Sequence, residues 1–382
     1  MALSDKKKIC FVVGAELSAR VFLLNHIDSI SKVCNVTLLV NTQNPDFLSQ
    51  LGINARVVPL NISRTINLLS DLKCLQTLIK TFTNERFDAI HSVTPKAGLL
   101  AMLAGFLCRI PFRTHTFTGQ VWANKTGIRR LLLKNIDRLM AALATHRIVD
   151  SPSQRDFLLA EKVLPSSNVF VFGHGSIAGV DSHKFKPDGS ARQKIRSTMK
   201  LGDNFVFLFL GRLNKDKGVL DLAQAFIASR LSNATLLFVG PDEQSMQMHI
   251  QQLPGYDTAK IRFVDYTDTP QRYMVAADAL CLPSYREGFG SVIIEAASCG
   301  IPTVASRIYG ITDAVIDQQT GLLHQAGNVS EITSTLTKIA SDATLYRTLA
   351  DNAYQHALSN FDSKMITQAW CDFYKEIFAN VD

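Results

Sequence analysis

The sequence contains no paired cysteines. Its seven cysteines stand singly, and none belongs to a C-x-x-C pair. An odd number of isolated cysteines is typical neither of a disulfide framework nor of a zinc site. The sequence also contains no Asp-x-Asp pair and no carboxylates grouped at the spacing of metal ligands. We therefore expect reduced, buried thiols in a cytoplasmic protein that works without a metal ion or another cofactor.

Long apolar runs are absent as well. The longest, residues 97–108, is too short to cross a bilayer. Near the start, three lysines precede an apolar run that ends at Gly14, which is shorter than the core of a secretory signal. We expect a first strand there, no signal peptide and no membrane-spanning segment.

Charge is unevenly distributed along the chain. Residues 1–175 carry 21 Lys and Arg against 11 Asp and Glu, whereas the remainder carries 19 against 22. The basic half is expected to attract an anionic partner such as a lipid surface or a pyrophosphate-linked acceptor. Nucleic acid ranks last, because no signature of a DNA- or RNA-binding domain is present.

Strand-like apolar runs alternate with helical patterns throughout, which indicates α/β domains with parallel sheets. The predicted strands are 9–13, 36–40, 55–58, 89–91, 113–117, 147–149 and 169–172, followed by 205–210, 235–239, 261–264, 279–282 and 303–305. The predicted helices include 18–30, 68–81 and 127–144.

Residues 173–192 are rich in glycine, serine and charge, which is a linker composition. They separate a predicted first domain, 1–180, from a second, 190–360, and the segment 361–382 has a helical pattern that is expected to pack back on the first domain. The expected architecture is two facing, doubly wound Rossmann-like domains with a cleft between them. Ligands would bind at the carboxyl ends of the strands.

The segment PSYREGFGSVIIEAASCG, residues 283–300, combines two acids with a glycine turn. Glu287 precedes the turn, and Glu295 follows eight positions later in a helical run. Glycines let the backbone approach a ligand closely, and N–H groups at the start of a helix bind anions. The backbone groups expected to face such an anion belong to Gly288, Phe289, Gly290 and Ser291.

A second anion-binding element is GRLNKDKG, residues 211–218. It follows the apolar run FVFLFL and places Arg212 and Lys217 where a strand gives way to a helix. Two cations, a helix start and two acids are suited to a nucleotide diphosphate joined to a sugar.

Three segments, GRLNKDKG, AADALCLPSYREGFGSVIIEAASCGIPTVAS and GITDAVIDQQTGLL, together resemble the retaining nucleotide-sugar glycosyltransferases of family 4, which have the GT-B fold. The resemblance is dense over residues 205–325. In the first half it is carried by RTHTFTG, residues 113–119, and by the GVD of the predicted linker.

This resemblance implies a role for each motif residue. Glu287 and His115 are expected beside the donor sugar as catalytic residues, and Glu295 is expected to bind the ribose. Arg212 and Lys217 would bind the diphosphate. The remaining residues implied are Val264, Asp265 and Tyr266 in the nucleobase pocket, and Gly14 at the cleft of the first domain, where the family often has a second glycine that this chain lacks.

The implied activity is metal-independent, retaining transfer from a nucleotide-diphosphate sugar, with uridine the preferred base. The HSVTPKAGLLA and HTFTGQVW segments are similar to bacterial enzymes that build surface polysaccharides on polyprenyl carriers. The implied acceptor is therefore a polyprenyl-diphosphate-linked or other lipid-linked glycan, with peripheral contact to an anionic membrane. Two alternatives remain: a nucleotide-sugar epimerase of the same fold, and a non-catalytic sugar-nucleotide-binding scaffold.

Single residues also have simpler explanations. A glutamate in the position of Glu287 can cap the following helix, and His115 can be a structural histidine. The expected order of Arg212, Lys217, Glu287 and Glu295 favours the functional interpretation.

The predicted helix 126–144 has two interpretations. Its basic stripe of Arg130, Lys134 and Arg138, with Trp122 nearby, is suited to docking on anionic lipid. The same pattern also fits an ordinary surface helix.

Overall fold

The computed structural model describes residues 6–63 and 67–379. Its contacts divide the chain into two compact units: unit 1 contains residues 1–178 and 363–382, and unit 2 contains residues 179–362. Each unit has a parallel β-sheet with helices packed against it, which confirms the prediction of two Rossmann-like α/β domains.

Unit 1 contains a seven-stranded sheet in the order β3-β2-β1-β4-β5-β6-β7. Its strands are β1 (Lys8–Val13), β2 (Asn35–Val40), β3 (Arg56–Pro59), β4 (Ala89–Val93), β5 (Phe112–Phe117), β6 (His146–Val149) and β7 (Val169–Phe170). The central strand β1 is apolar on both faces and buried from its second residue onward. Continuous apolar runs of this kind are typical of parallel strands covered on both sides.

Unit 2 repeats this strand order with one strand fewer, β10-β9-β8-β11-β12-β13. Its strands are β8 (Phe205–Leu210), β9 (Ala234–Val239), β10 (Ile261–Val264), β11 (Ala279–Leu282), β12 (Thr303–Ser306) and β13 (Gly321–His324). In both units the first strand lies inside the sheet, with the chain winding first to one side and then to the other. Ligands bind such sheets at the carboxyl ends of the strands, near the point where the winding reverses.

Helices lie between the strands and after the last strand of each unit. Those of unit 1 are α1 (Glu16–Phe22), α2 (Leu24–Ser31), α3 (Leu68–Glu85), α4 (Pro95–Leu107), α5 (Gly127–Leu143) and α6 (Pro152–Ala160). Those of unit 2 are α7 (Gly189–Thr198), α8 (Val219–Ser229), α9 (Met246–Gln251), α10 (Pro270–Ala276), α11 (Ser291–Ser298), α12 (Ile311–Ala314), α13 (Val329–Ser341) and α14 (Ala343–Asn360). No helix in the described ranges is long and apolar enough to span a membrane.

The final helix, α15 (Ser363–Ala379), packs on the core of unit 1. Its Trp370 is fully buried and stacks between two imidazoles, His26 at 4.5 Å and His91 at 4.7 Å between ring centroids. The Tyr374 hydroxyl lies 2.6 Å from Nδ1 of His91. These aromatic contacts fix the C-terminal segment to the sheet.

Two predicted elements differ from the structure. The single helix predicted over 18–30 is wrong: the chain forms α1 and α2, with a break at the fully buried Leu23, whose φ and ψ are −121° and −12°. The predicted linker 173–192 also extends too far, because α7 begins at Gly189 with the Asp188 carboxylate accepting the Ala191 N–H at 2.9 Å. An aspartate at this position is a strong helix start.

Candidate functional site

Two adjacent strands of unit 2 carry the predicted motifs at their carboxyl ends. Residues 211–218 follow β8, residues 283–290 follow β11, and the two strands pair in parallel. The loops are in direct contact, because a Cβ added to Gly218 would lie 2.2 Å from the carbonyl oxygen of Pro283. Gly218 also has a φ of +65°, a conformation that side chains disfavour. Only glycine fits this crossing.

An ion pair joins the two loops at their centre. Lys217 Nζ lies 2.5 Å from Oε1 of Glu287, and the Ser284 hydroxyl donates to the same oxygen at 2.8 Å. The two charged side chains are only 20 % and 12 % exposed. The structure thus brings together the cation predicted for the diphosphate and the acid predicted for the sugar.

Neighbouring residues form further contacts between the two loops that carry this pair. Asp216 accepts the backbone N–H of Tyr285 at 2.9 Å through its carbonyl, and its carboxylate lies 3.4 Å from the Arg286 guanidinium. The Tyr285 hydroxyl donates to the Asp221 carboxylate at 2.8 Å. Burial and this carboxylate raise the pKa of Tyr285 to about 12, so the phenol stays protonated.

Helix α11 begins directly after the glycine turn. Gly290 has a φ of +80°, which turns the chain into the helix. Within the described part of the chain, the N–H groups of Gly288, Phe289, Gly290 and Ser291 donate to no acceptor. The Phe289 side chain is only 3 % exposed and packs on Phe361, so only its backbone can face a ligand. Unpaired N–H groups at a helix start are suited to an anion.

The second predicted cation, Arg212, has an acidic partner that the sequence reasoning missed. Its Nη1 lies 3.1 and 3.0 Å from the two carboxylate oxygens of Glu243. Glu243 follows β9, the strand next to β8. The only sequence signal was this position after a predicted strand.

Glu295 lies on α11, partly buried, and no described side chain forms a hydrogen bond with its carboxylate. Burial raises the pKa of Glu295 to about 7, and the Lys184 cation opposes the shift. A carboxylate of this kind can accept hydrogen bonds from two hydroxyls, as a ribose presents.

The residues predicted for the nucleobase pocket lie at the end of β10, the edge strand of the sheet, and directly after it. The Val264 carbonyl accepts the Gly240 N–H at 2.9 Å, which ties this segment to the end of β9. Asp265 and Tyr266 are exposed, Tyr266 to 64 %. Their side chains are therefore open to a ligand, and their role stays a prediction.

His115 and Gly14 belong to unit 1, whereas the other predicted site residues belong to unit 2. His115 is the fourth residue of β5, and its Nδ1 lies 2.8 Å from the Ser92 hydroxyl. Burial lowers the pKa of His115 to about 3, so the imidazole is neutral at physiological pH. A Cβ on Gly98 would lie 2.3 Å from this ring, so glycine is required beneath it.

His115 lines a cavity of about 90 Å³ within unit 1. The walls come from α5 and from the segment after β5, and they include Gln120, Trp122 and Asp137. The Asp137 carboxylate accepts the indole N–H of Trp122 at 2.7 Å. This cavity is largely apolar, with a neutral imidazole as one of its few polar groups.

Gly14 follows β1, where an added Cβ would lie 3.2 Å from the Thr94 hydroxyl oxygen. The next acid, Glu16, accepts from the Thr42 hydroxyl and is paired with Arg20 at 2.7 Å. Glu16 is therefore engaged in holding the loop after β1.

The contacts of the basic stripe of α5 do not support its interpretation as a lipid-docking surface. Arg130 and Lys134 both pair with Glu161, at 2.8 and 2.5 Å. Trp122 is 1 % exposed beneath these two cations, so it cannot anchor at an interface. Arg138 donates to backbone carbonyls of Glu161 and Lys162. The stripe attaches α5 to the end of α6.

Among the described residues, no three His, Cys, Asp or Glu side chains are grouped so that they could hold a metal ion. All seven cysteines have free thiols, and five of them are buried.

Comparison with known families assigns both halves of the chain. Residues 191–356 match the model "Glycosyl transferases group 1", and residues 32–175 match the model "Glycosyl transferase 4-like domain". Together these two domains make up most of the sequence.

Similar proteins cover nearly the whole chain. CapM, a capsular polysaccharide biosynthesis glycosyltransferase of Staphylococcus aureus, is 29% identical over 82% of each chain. UDP-Gal:alpha-D-GlcNAc-diphosphoundecaprenol alpha-1,3-galactosyltransferase of Escherichia coli is 24% identical over 91% of this chain and 90% of its own.

The fold is shared with solved structures. Anabaena HepE, solved with UDP and glucose, has a TM-score of 0.80 and 23% identity over 97% of this chain and 100% of its own. WaaG, a glycosyltransferase involved in lipopolysaccharide biosynthesis, has a TM-score of 0.74 and 15% identity over 95% of this chain and 98% of its own. The chain therefore has the GT-B fold, with a glycosyl transferase 4-like domain followed by a glycosyl transferases group 1 domain.

Proposed function

We propose that this glycosyltransferase moves a sugar from a nucleotide diphosphate, with UDP preferred, to a hydroxyl of a lipid-linked glycan during assembly of a bacterial surface polysaccharide. We further propose that the transfer retains the anomeric configuration and needs no metal ion. The observation that carries the proposal is the Lys217–Glu287 pair beside the unpaired N–H groups at the start of α11.

Breaking the bond between the anomeric carbon and the diphosphate leaves negative charge on the phosphate. Arg212, Lys217 and the N–H groups of residues 288–291 would stabilise that charge as it grows. Donors of this kind act on the transition state more than on the ground state, and therefore accelerate the step. Three such elements supply positive potential that a divalent cation supplies in other transferases.

The acceptor hydroxyl would attack from the side of the leaving group, which retains the configuration. Its oxygen forms the new bond to the anomeric carbon while the bond to the diphosphate breaks, and its proton passes to the departing phosphate oxygen. Glu287 would orient the sugar and stabilise the positive charge that develops on it. The neutral His115 would contribute a hydrogen bond to a sugar hydroxyl.

The donor and acceptor classes rest on the relatives. The Escherichia coli relative uses UDP-Gal and a diphosphoundecaprenol-linked sugar by name. A Campylobacter jejuni relative, 23% identical over 87% of this chain, is an N-acetylgalactosaminyltransferase acting on a diphospho-undecaprenol-linked sugar. The Staphylococcus aureus relative belongs to capsular polysaccharide biosynthesis. These names support an undecaprenyl-linked acceptor here.

A transfer assay tests this proposal. The purified chain is incubated with UDP-sugars and short-chain polyprenyl-diphosphate-linked GlcNAc, and the product is identified by mass spectrometry and NMR. We expect an α-linked disaccharide from an α-linked donor, at an equal rate with excess EDTA. Glu287→Gln should lower turnover about 100- to 1000-fold because it removes a charge that stabilises the transition state.

Glu331→Gln is a matched control, since Glu331 is an exposed residue in the first turn of α13 whose carboxylate accepts the Gln325 N–H at 2.6 Å. An inverted product, strict dependence on added magnesium or manganese, or full turnover by Glu287→Gln would each contradict part of the proposal. Isomerised free UDP-sugar without acceptor would support the epimerase instead.

We also propose that the chain contacts an anionic membrane through the exposed apolar side of α5. Ile128, Leu132 and Leu131 on this helix are 82 %, 63 % and 56 % exposed. Arg129 is exposed beside them, and the only acid of α5 is the buried Asp137. Apolar side chains flanked by cations favour the headgroup region of anionic bilayers.

Vesicle flotation tests this surface. Replacing Ile128, Leu131 and Leu132 by serine should weaken binding to phosphatidylglycerol vesicles by about tenfold or more, because apolar burial is lost. The control variant, Leu17→Ser with Val21→Ser on α1, changes residues that are 58 % and 50 % exposed and should bind as the wild type does. Equal binding by the α5 variant would remove this surface from the proposal.

A further inference from the structure

We propose that Glu243 is a positioning residue for the donor diphosphate. It holds the Arg212 guanidinium by one nitrogen, so that the remaining N–H groups face the phosphates. This inference rests on the proposed function and adds a residue that no motif of the sequence identified.

The contacts of Glu243 fix it to the segment that carries Arg212. Its carboxylate oxygens lie 3.1 and 3.0 Å from Arg212 Nη1, and one of them accepts from the Asn214 amide at 3.2 Å. Its backbone N–H donates to the Leu213 carbonyl at 3.1 Å. Arg212, Leu213 and Asn214, which are consecutive in sequence, thus all hold Glu243 in position.

The other nitrogens of Arg212 remain available. Its Nε and Nη2 form no hydrogen bond with a described residue, and the side chain is 45 % exposed. A guanidinium presents its N–H groups in a rigid fork that matches phosphate oxygens in pairs. Holding one nitrogen therefore orients the open edge of the fork.

This ion pair contributes little to the stability of the fold. Its two side chains are 45 % and 27 % exposed, and pairs this accessible are screened by water. The ion pair instead orients the Arg212 side chain before the donor binds. Pre-orientation lowers the entropy lost when a flexible side chain binds its ligand.

The alternative is that Glu243 merely competes with the phosphates for Arg212. The two roles predict opposite effects of removing the side chain. Loss of a competitor strengthens diphosphate binding, whereas loss of a positioning contact weakens it. Glu243→Gln separates charge from contact, because the amide keeps one acceptor oxygen and loses the negative charge.

Calorimetric titration of UDP and of uridine into the full chain provides the test. We expect Glu243→Ala to weaken UDP binding about fivefold and Arg212→Ala about 10- to 100-fold, in the range of charge-assisted hydrogen bonds and of couplings between contacting residues. Glu243→Gln should bind UDP at least as tightly as the wild type. Uridine, which lacks phosphates, should bind all variants equally.

The double variant Arg212→Ala with Glu243→Ala decides whether Glu243 acts through Arg212. We expect it to bind UDP no more weakly than Arg212→Ala alone. Gln244→Ala is the matched control, because its amide oxygen accepts the Lys215 N–H at 2.9 Å and ties the same two loops without contacting Arg212. This control should bind UDP normally.

Four results would overturn the inference: tighter UDP binding by Glu243→Ala, unchanged UDP binding by this variant, a further loss in the double variant, or an equal loss in Gln244→Ala. If the wild type binds none of UDP, GDP and ADP, the proposed function fails as well. If the wild type binds UDP and Glu243→Ala binds it equally, only the role of Glu243 is lost.

Discussion

Units 1 and 2 share a strand order but carry different chemistry at the carboxyl ends of their strands. Unit 1 presents the neutral, buried imidazole of His115 beside a largely apolar cavity. Unit 2 presents two ion pairs, Lys217 with Glu287 and Arg212 with Glu243, and the start of α11. One architecture can thus place very different groups at the same kind of position, so activity has to be argued from side chains.

The two units differ chemically because they place their titratable side chains in different environments. Unit 1 buries histidines and keeps them neutral, whereas unit 2 keeps its site cations partly exposed and paired with acids. Partly exposed cations can bind phosphate oxygens at little cost in desolvation. Unit 2 is therefore suited to a charged diphosphate and unit 1 to uncharged hydroxyls.

The largest expected effect separates the stabilities of the two units. Trp370→Ala removes the ring stacked between His26 and His91 in the core of unit 1. We expect a loss of about 3–5 kcal/mol from unit 1, as for other large-to-small changes in a core. The fluorescence of Trp122, also in unit 1, reports the transition, and UDP binding by unit 2 should persist below it. A loss under about 1 kcal/mol would show that α15 is not held by this stack.

The second largest effect is expected from a lower pH, which should change the stability of the two units by different amounts. Burial lowers the pKa of four histidines in unit 1, namely His26 (to about 4), His115 (to about 3), His91 and His146. Burial also raises the pKa of two acids there, Asp137 to about 6 and Asp150 to about 8. Between pH 6.5 and 4.5 the unfolded chain binds protons on more histidines than the folded chain binds on these acids. The stability of unit 1 should therefore fall as the pH falls, by about 2 kcal/mol per pH unit.

In unit 2 one raised pKa and one lowered pKa have opposite effects on stability over this pH range. Glu295 has a raised pKa and His324 a lowered one, both through burial. The stability of unit 2 should vary less over the same range. Thermal unfolding followed by tryptophan fluorescence and by calorimetry from pH 7 to pH 4.5 compares them, since both tryptophans, Trp122 and Trp370, lie in unit 1. A tryptophan transition that does not move with pH would contradict the difference.

The smallest effect concerns Glu295. Its folded pKa of about 7 lies above the unfolded value, so its contribution to stability is present below about pH 4.5 and is lost as the pH rises through 7. Glu295→Gln should raise the melting temperature of unit 2 by about 2–4 °C at pH 8, with no gain at pH 4.5. The same variant should weaken UDP binding about tenfold, because a charged acceptor of the ribose hydroxyls is lost. Unchanged UDP binding would exclude the ribose role.

The strands and motif loops could be predicted because their causes are local. Apolar runs such as 205–210 form buried parallel strands, and glycines such as Gly218 mark conformations that other residues disfavour. The break between α1 and α2 at Leu23 has no such signal in the sequence. Neither glycine nor proline occurs there, and burial of the leucine in the core decides it.

The missed features depend on residues far apart in sequence. Glu243 meets Arg212 across 31 positions, and Glu161 neutralises Arg130 across the same separation. Charge patterns within one helix could not reveal either partner. The sequence of α5 therefore left lipid docking of its basic stripe open beside an ordinary surface helix, whereas its exposed side is mainly apolar.

The central claim is that unit 2 receives the donor diphosphate between Arg212, Lys217 and the start of α11. A crystal structure of the full chain with UDP tests it most directly. We predict phosphate oxygens within hydrogen-bond distance of Lys217 Nζ, of the Arg212 guanidinium and of the N–H groups of residues 288–291, with the ribose at Glu295. UDP bound with its phosphates away from both cations would contradict the account.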